Sequence, residues 1–384
     1  MTKRPAQLSQ ASVVPGPGTL VGGRYELVEE AGRGGMATVW RAHLRGDAGF
    51  TRTVAVKQMH PSLAEQPLYV DMFVEEARIG AGLEDSNLAQ AYDFVHENGH
   101  YFLIMEWVEG IDLGTFIHHF RDQGARTRWE LVAAIGIGLL RGLASAHERV
   151  DGAGAKAPIV HRDVSPHNVL LTVKGKVKLI DFGLALALDT RRERTEPGIV
   201  KGKMSYLSPE VVSGGRPTPA TDQFAAASVV WEALVGRKLF DGTTDFETFK
   251  KLRECRVQPL RPLRPDIPRE LITAINRALS ADPEDRYPST REMARALVNV
   301  LKQVKERKDH HVALGKTVVE ARSAMGLGRR TGEVSTTTPV AELEEPAAAA
   351  AAGARKAAGA SRPGTADPER RTALWHRLGF GRRK

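Results

Sequence analysis

The sequence predicts an α+β fold with a β-rich N-terminal part, a larger helical C-terminal part and a disordered C-terminal tail. Short strand-type apolar runs occur up to about Val108, whereas a long helical apolar run begins at Trp129. With 384 residues the chain can bury a sizeable core and still carry tails. After Lys305 Gly, Pro, Ala and Arg dominate without apolar periodicity, which is typical of a linker. The expected organisation is a disordered N-terminus over residues 1–20, a folded domain over 21–305, and a linker with a disordered basic tail over 306–384.

Composition excludes several classes of protein. Hydrophobic residues make up 42% of the chain and charged residues 26%, as in ordinary soluble proteins. The single cysteine, Cys255, excludes an internal disulfide framework and a multi-cysteine metal site. Residues Met1–Gly18 lack the apolar core of a signal peptide. The run Leu131–Ala146 is too short and too interrupted to span a bilayer, so we expect a buried helix there. The protein is therefore expected to be cytoplasmic and to have no transmembrane anchor.

The positive charge lies mainly in the tail. The net charge is +9, and from Lys316 onward there are 13 Lys and Arg against 7 Asp and Glu. This distribution favours a solvated tail over a nucleic-acid-binding groove, so no nucleic-acid partner is expected. The final segment, Ala373–Lys384, mixes aromatic and basic residues. A weak contact with a membrane surface or a partner protein is the alternative to a solvated end.

A glycine-rich hairpin is expected near the N-terminus. A strand that begins at Tyr25 leads into Gly32, Gly34 and Gly35, and a second strand follows with Val39. Glycines between two strands let backbone N–H groups approach phosphates closely. Such hairpins are common, so this segment alone is a weak signal.

The next strand, Val54-Ala55-Val56-Lys57, is apolar and ends in a lysine. The helix expected after it carries two neighbouring glutamates, Glu75 and Glu76, which point about 100° apart around the helix axis. A lysine that ends a strand is usually solvated, so its role depends on the motifs around it.

The most informative stretch runs from His161 to Asn168, with Asp181 following it. Two apolar β-type runs joined by a Lys-Gly-Lys turn separate Asn168 from Asp181, and such a hairpin would bring these two residues together. An amide and a carboxylate supply oxygen ligands of the kind that Mg²⁺ takes. Asp163 would then be available as a base, an arrangement that suits phosphoryl transfer.

The sequence His-Arg-Asp-Val-Ser-Pro-His-Asn followed by Asp-Phe-Gly resembles the catalytic and magnesium loops of the protein kinase family, in particular the eukaryotic-like Ser/Thr kinases of bacteria. The glycine-rich hairpin, Val-Ala-Val-Lys and Ser208-Pro209-Glu210 follow the family's order. The resemblance covers roughly residues 20–305 and implies the two-lobed protein kinase fold. Its N-lobe would span about residues 21–107 and its C-lobe about 108–305.

The resemblance implies an ATP site between the lobes. Lys57, held by Glu76, would orient the α- and β-phosphates. Met105 matches the residue at the back of the adenine pocket, Glu106 and Val108 match the backbone contacts to the adenine edge, and Asp112 matches the contact to the ribose. The residues assigned to the nucleotide are Gly32, Gly34, Gly35, Val39, Ala55, Lys57, Met105, Glu106, Val108, Asp112 and Leu170.

The implied reaction is transfer of the γ-phosphoryl group of MgATP to serine or threonine hydroxyls of protein substrates. Asp163 would orient the substrate hydroxyl and accept its proton, while Asn168 and Asp181 would bind Mg²⁺. Tyrosine specificity is disfavoured, because the loop after Asp163 lacks the Ala-Ala-Arg or Arg-Ala-Ala of the family's tyrosine kinases.

Further residues match structural and regulatory positions of the family. Glu210 is expected to form a buried pair with Arg286, and Asp222 to support the catalytic loop. Residues 189–203 resemble an activation loop, in which Thr195 is either phosphorylated and bound by Arg162 or an unmodified surface residue.

Two departures from the family pattern support a rival hypothesis, a pseudokinase scaffold that binds nucleotide or partners with little catalysis. Ala37 replaces the third glycine of the loop, and Ser165 replaces the usual lysine. We expect that Lys203, which stands where a threonine is usual, compensates by hydrogen-bonding Ser165 and Asp163 and contacting the γ-phosphate. A small-molecule phosphotransferase is disfavoured by the expected Glu210–Arg286 pair.

Overall fold

The computed structural model describes residues 15–182, 204–304 and 309–327. Its N-lobe is a six-stranded antiparallel sheet in the order β1-β2-β3-β4-β6-β5. The strands are β1 (Leu20–Val21), β2 (Tyr25–Arg33), β3 (Ala37–Arg45), β4 (Thr51–Met59), β5 (Ala91–Glu97) and β6 (His100–Glu106). Helices α1 (Pro61–Ala64) and α2 (Pro67–Ala81) connect β4 to β5. Leu20, which lies in the segment predicted to be disordered, pairs with Glu26, so the fold begins slightly earlier than expected.

The N-lobe sheet carries a separate apolar cluster on each face. Successive strand residues point to opposite faces, so Phe102 and Ile104 of β6 enter one cluster and Leu103 enters the other. Helix α2 covers the second face with Phe73 and Ala77. The sheet and α2 thereby fix the position of Lys57 relative to the helix that carries the glutamates.

The C-lobe is helical around one large core. Its helices are α3 (Leu113–Asp122), α4 (Trp129–His147), α5 (Pro209–Val212), α6 (Pro219–Val235), α7 (Asp245–Glu254), α8 (Leu260–Leu263), α9 (Arg269–Ala278), α10 (Thr290–Lys302) and α11 (His310–Ala324). A second antiparallel sheet consists of β7 (Gly110–Asp112), β8 (Val169–Thr172) and β9 (Val177–Leu179) in that order. This C-lobe core also includes residues that follow α2 in the chain, Leu83 and Leu88. Ile79, near the C-terminal end of α2, packs against it.

Helix α4 is the one helix among the described residues that is long and apolar enough to cross a membrane. The expectation that this run is too short and too interrupted to span a bilayer is therefore wrong by length and composition. Its residues from Leu131 to Leu140 are all buried in the C-lobe, which confirms the expectation of a buried core helix. Helix α4 packs closely against α6 and α10, and this accounts for its glycines. A Cβ added at Gly136 would lie 2.9 Å from Val230 of α6 and 3.1 Å from Leu297 of α10.

Helix α11 corrects the expected domain boundary. The segment from 306 onward was expected to be a linker and a disordered tail, yet residues 310–324 form a helix whose apolar face belongs to the C-lobe core. The buried residues are Leu314, Val318 and Ala321, spaced four and three residues apart as one helix face requires. Asp309 caps the helix by accepting the N–H groups of His311 and Val312 at 2.9 and 3.2 Å.

One buried histidine in the N-lobe is expected to limit stability. His100 is buried beside Phe102, and neither ring nitrogen has a hydrogen-bond partner in the part of the chain that the structure describes. Each unsatisfied buried polar group costs about 1–3 kcal/mol, so His100→Phe is expected to raise the free energy of unfolding by about 1 kcal/mol after some loss from tighter packing. Urea unfolding measures this change. The exposed His118→Phe is the control, and an unchanged or lower stability of His100→Phe would contradict the explanation.

Candidate active site

The glycine-rich hairpin lies between β2 and β3, as expected. Gly34 and Gly35 form its tip, where the Gly34 N–H donates to the Ala37 carbonyl at 2.9 Å. A Cβ added at Gly32 or Gly35 would meet no described atom within 4 Å, so packing does not require these glycines and their backbone is open to a ligand. Ala37 is buried at the start of β3, opposite Met59. The methyl group in place of the third glycine is therefore accommodated within the sheet.

Lys57 lies between two carboxylates. Its ammonium Nζ is 2.6 Å from Oε1 of Glu76 and 2.9 Å from Oδ1 of Asp181. The choice of Glu76 over its neighbour is confirmed, since Glu75 is 45% exposed and pairs with Arg78 on the helix surface. The cluster joins the N-lobe sheet, helix α2 and the chain after β9 at one point.

One ammonium group faces two carboxyl groups in this cluster. Burial lowers the pKa of Lys57, but the carboxylates of Asp181 and Glu76 outweigh it and the net pKa is raised, so the ammonium stays charged. Burial raises the pKa of Glu76 to about 7, with Lys57 opposing and Asp181 reinforcing the shift. Two carboxyl groups thus share one ammonium, which favours a cation as a further ligand.

The β8–β9 hairpin brings Asn168 and Asp181 together, as expected. Val169 pairs with Leu179, and just beyond them the Ile180 N–H donates to the Asn168 carbonyl at 3.0 Å. The Asn168 side-chain nitrogen Nδ2 donates to the backbone oxygen and to Oδ2 of Asp163 at 2.7 and 2.8 Å. The amide oxygen is then the atom that can bind a metal. An amide oxygen and a carboxylate are a hard-oxygen donor set that fits Mg²⁺.

Asp222 holds the catalytic loop by its backbone, as expected. Its carboxylate accepts the N–H groups of His161 and Arg162 at 2.7 and 2.9 Å and Nε2–H of His147 at 2.8 Å. Arg162 has a φ of 68°, an uncommon conformation for a side-chain-bearing residue, and its N–H bond to Asp222 helps to hold it there. The loop that carries Asp163 is thus fixed from α6 and α4.

His161 connects the catalytic loop to the chain before Asp181. Its Nε2 donates to the Ile180 carbonyl at 3.0 Å, and its Nδ1 accepts the Asp163 N–H at 3.3 Å. Burial lowers the pKa of His161, so the neutral ring that these two bonds require is the stable form. The sequence interpretation gave His161 no role of its own, and only its place in the motif could have indicated one.

The segment predicted to bind adenine joins the two lobes. Met105 pairs with Ala55 and Glu106 with Val54 across β6 and β4. The Glu106 N–H donates to the Gln90 carbonyl at 2.8 Å, so only its carbonyl oxygen can serve the adenine edge. The role of Val108 as an adenine contact and the roles of Val39 and Leu170 as nucleotide contacts stay predictions.

Lys178 is a buried connection that the sequence interpretation missed. Its Nζ lies 2.8 Å from Oε2 of Glu106 and donates to the Leu88 carbonyl at 3.0 Å. This pair ties the segment between the lobes to β9, three residues before Asp181. The sequence signal for this pair was a lysine within a short apolar strand. Because buried lysines are uncommon without a partner, such a lysine indicates a buried ion pair.

Asp112, the predicted ribose contact, caps helix α3. Its Oδ1 accepts the Thr115 N–H at 3.0 Å and lies 2.9 Å from Nδ1 of His167. Burial raises the pKa of Asp112, but its hydrogen bonds from His167 and Thr115 outweigh this and the net pKa is lowered. The same bond to Asp112 raises the pKa of His167. The ribose role of Asp112 stays a prediction, and His167 is an additional neighbour of that position.

The expected Glu210–Arg286 pair is confirmed. Two guanidinium nitrogens of Arg286 lie 2.7 and 2.9 Å from the two carboxylate oxygens of Glu210. Arg286 is fully buried and also donates to the carbonyls of Ala220 and Ser280 at 2.8 and 2.9 Å. The pair anchors α5 to the loop before α10.

Several predicted residues lie outside the described residues. They are Gly183 and the proposed activation loop with Thr195 and Lys203. The compensation of Ser165 by Lys203 and the phosphorylation of Thr195 therefore stay predictions. Ser165 itself is buried, and its carbonyl accepts the Asn168 N–H at 3.0 Å.

Comparison with known proteins gives a consistent family. A family model described as "Protein kinase domain" matches residues 25–298. The crystal structure of the PknI kinase domain of Mycobacterium tuberculosis superposes with a TM-score of 0.55 and 26% identity. The superposition covers 75% of this chain and all of that one.

Curated relatives resemble the same part of the chain. MasK of Myxococcus xanthus, a tyrosine-protein kinase, is 37% identical over 281 residues, which are 73% of this chain and 43% of that protein. The serine/threonine-protein kinase PrkC of Bacillus subtilis is 31% identical over 276 residues, 72% of this chain and 40% of PrkC. The serine/threonine-protein kinase PknA of Mycobacterium tuberculosis is 32% identical over 292 residues, 74% of this chain and 63% of PknA. The chain thus spans less than half the length of the first two.

Proposed function

This chain belongs to the protein kinase family, and from that premise we propose that it transfers the γ-phosphoryl group of MgATP to serine or threonine hydroxyls of proteins. The observation that carries the proposal is the Lys57 ammonium, held at 2.6 Å from Glu76 and 2.9 Å from Asp181. The N-lobe sheet, α2 and the chain after β9 meet at this ammonium and together fix its position.

Each residue of the site has a role in this reaction. Lys57 binds and orients the phosphates of ATP, and the open backbone of the glycine hairpin covers them. Asp163, positioned by Asn168 and by the loop that Asp222 holds, orients the substrate hydroxyl and accepts its proton. Asn168 and Asp181 would hold Mg²⁺, which neutralises charge on the phosphates when it is bound. Catalysis here is mainly positioning and charge stabilisation.

A pseudokinase is the rival from another class, and the geometry of the site argues against it. The Lys57–Glu76 pair is formed, and Asn168 contacts Asp163. The replacement of a glycine by Ala37 does not block the hairpin, because that side chain is buried in the sheet. The remaining argument for the rival is Ser165, whose proposed compensation by Lys203 is untested.

Tyrosine kinase activity is a second candidate because MasK, 37% identical to this chain, is named a tyrosine-protein kinase. PrkC and PknA are serine/threonine kinases at 31% and 32% identity. The short loop between Asp163 and Asn168, which lacks the tyrosine-kinase pattern, favours serine and threonine.

Phosphoamino-acid analysis distinguishes these candidates. The purified chain is incubated with labelled ATP, Mg²⁺ and a generic protein substrate such as casein, and the labelled residue type is determined after hydrolysis. We expect phosphoserine or phosphothreonine, and none with Asp163→Asn. Label on tyrosine alone would move the assignment to the second candidate. No turnover by a folded protein that binds MgATP would support the pseudokinase.

The proposal includes the cellular context. We place the reaction in the cytoplasm, where ATP is available, and assign protein substrates to the chain. The basic C-terminal segment is proposed as a weak contact to a membrane surface or a partner, supported by the 13 Lys and Arg that follow residue 315.

A further inference from the structure

Helix α11 lies beyond the part of the chain that matches the kinase family, yet it contacts the sheet that carries the active-site residues. The family match ends at residue 298, and α11 begins at His310. Its buried face, Leu314, Val318 and Ala321, packs into the C-lobe core. The helix lies against β7 and β8 as well as α3 and α4. It is therefore placed to act on the β7–β8–β9 sheet.

The contact between α11 and the turn of the β8–β9 hairpin is made by backbone against backbone. A Cβ added at Gly175, which has a φ of 75°, would lie only 1.8 Å from the His311 carbonyl oxygen. A Cβ added at Gly315 would lie 2.8 Å from the Val173 carbonyl oxygen and 3.0 Å from the Gly175 nitrogen. Only glycine at both positions permits this approach, because backbone atoms cannot move aside as a flexible side chain can.

A hydrogen bond fixes the same contact. Nδ1 of His311 lies 3.1 Å from the Gly175 carbonyl oxygen, and since a carbonyl can only accept, Nδ1 carries the proton. At the other end of α11, Arg322 lies 3.5 Å from Glu109, whose carbonyl accepts the Val173 N–H at 3.0 Å. Helix α11 thus contacts the hairpin turn and the segment that follows the connection between the lobes.

The hairpin that α11 contacts is short and carries functional residues at its other end. Strand β8 has four residues and β9 has three, so the turn lies on the order of 10–13 Å from the end where Asn168 and Asp181 meet. A paired hairpin of this length moves nearly as a rigid body. Displacing its turn would therefore change the positions of both predicted metal ligands.

We propose that α11 is an intrachain clamp that fixes the β8–β9 hairpin, with Gly315 and His311 as positioning residues for phosphoryl transfer. This proposal rests on the proposed kinase function for its catalytic consequence, but the clamp itself is a statement about the free protein. It assigns to the segment after the family match a role in setting the geometry of Asn168 and Asp181.

The test combines hydrogen exchange of the free protein with the Mg²⁺ dependence of activity, both in the full chain. In Gly315→Val the added side chain forces α11 away from the turn. We expect faster amide exchange at residues 172–179 and, as for other residues that orient metal ligands, a roughly tenfold or larger rise in the Mg²⁺ concentration needed for half-maximal activity. Loss of stability alone would lower the amount of active protein without changing that Mg²⁺ requirement.

Two controls separate the clamp from general destabilisation. Val319→Ala changes an α11 residue that is 46% exposed, and it should leave both measurements unchanged. Leu271→Ala removes a buried side chain of α9, away from the hairpin, and should lower stability without changing the Mg²⁺ requirement.

If Gly315→Val does not fold, the His311 pair of variants decides the question. His311→Ala should shift both measurements in the same direction by a smaller factor, and His311→Asn should restore them because its amide can donate in place of Nδ1. Wild-type exchange at residues 172–179 in a folded Gly315→Val or in His311→Ala would overturn the clamp. Absence of kinase activity in the wild-type chain would refute the proposed function, while the exchange measurement would still decide on the clamp.

Discussion

Asp181→Asn is expected to lower the rate of phosphoryl transfer by about 10³-fold or more while the domain stays folded. The substitution keeps the side-chain shape but removes the negative charge that lies 2.9 Å from Lys57 and that is proposed to hold Mg²⁺. A metal ion contributes several kcal/mol of transition-state stabilisation, and each ~1.36 kcal/mol is tenfold in rate. The rate is measured with labelled ATP and a generic protein substrate, and folding by thermal unfolding.

The control for this substitution is Asp71→Asn. Asp71 is an exposed residue of α2, so the same chemical change there should leave the rate unaltered. A folded Asp181→Asn protein with wild-type turnover would contradict the assignment of Asp181. Loss of activity in both variants would show that the effect does not arise at the site.

Arg286→Met is expected to have the largest effect on stability. It leaves the Glu210 carboxylate without the two guanidinium bonds at 2.7 and 2.9 Å, in a place where the arginine is fully buried. Removing one partner of a buried pair costs about 3–5 kcal/mol, which corresponds to a Tm lower by on the order of 10 °C. Arg291→Met is the matched control: Arg291 and Glu148 form a pair in which both side chains are 47% exposed, and such pairs contribute about 0–1 kcal/mol.

The cost of Arg286→Met should depend on pH. Burial raises the pKa of Glu210, but its hydrogen bonds with Arg286 outweigh this and the net pKa lies below the ordinary value of 4.5. A carboxylate with a lowered pKa contributes stability that is complete above its unfolded-state value and is lost as the pH falls through the folded-state value. In Arg286→Met burial raises the pKa of Glu210 without this opposing bond, so the difference in unfolding free energy between wild type and variant should be largest at neutral pH and shrink as the pH falls towards and below 4.5. A difference that grows on acidification would contradict this account.

The sequence predicted which residues lie together where a local motif sets their spacing. Lys57, Asp163, Asn168 and Asp181 occur in patterns whose spacing depends on local structure, such as the hairpin that returns Asp181 to Asn168. Glu76 could be preferred over Glu75 from the family pattern, and the helix then placed it on the buried side. Local patterns of this kind survive in the sequence because the residues act within a few positions of one another.

The sequence did not indicate some of the connections that only tertiary structure creates. The Lys178–Glu106 pair joins residues 72 positions apart, and the bond of His147 to Asp222 joins α4 to α6. No periodicity marks such residues. In the sequence, the only indication of these buried contacts was the presence of charged or polar residues within apolar runs.

Helix α11 was missed for a different reason. Its buried face is short and includes a small residue, Ala321, and Gly315 lies in its middle, where glycine lowers helix propensity by about 1 kcal/mol relative to alanine. The glycine is needed for contact with the hairpin turn, so the feature that positions the helix also weakens its sequence signal.

Helix α2 has a mechanical consequence, because it belongs to both lobes at once. Its middle packs under the N-lobe sheet through Phe73 and Ala77, while Ile79 and the following Leu83 are held by the C-lobe core. The C-terminal end of the helix is therefore held by the C-lobe, and Glu76 lies in the part that packs under the N-lobe sheet. Any rotation of one lobe against the other changes the distance between Glu76 and Lys57, so this ion pair reports the angle between the lobes.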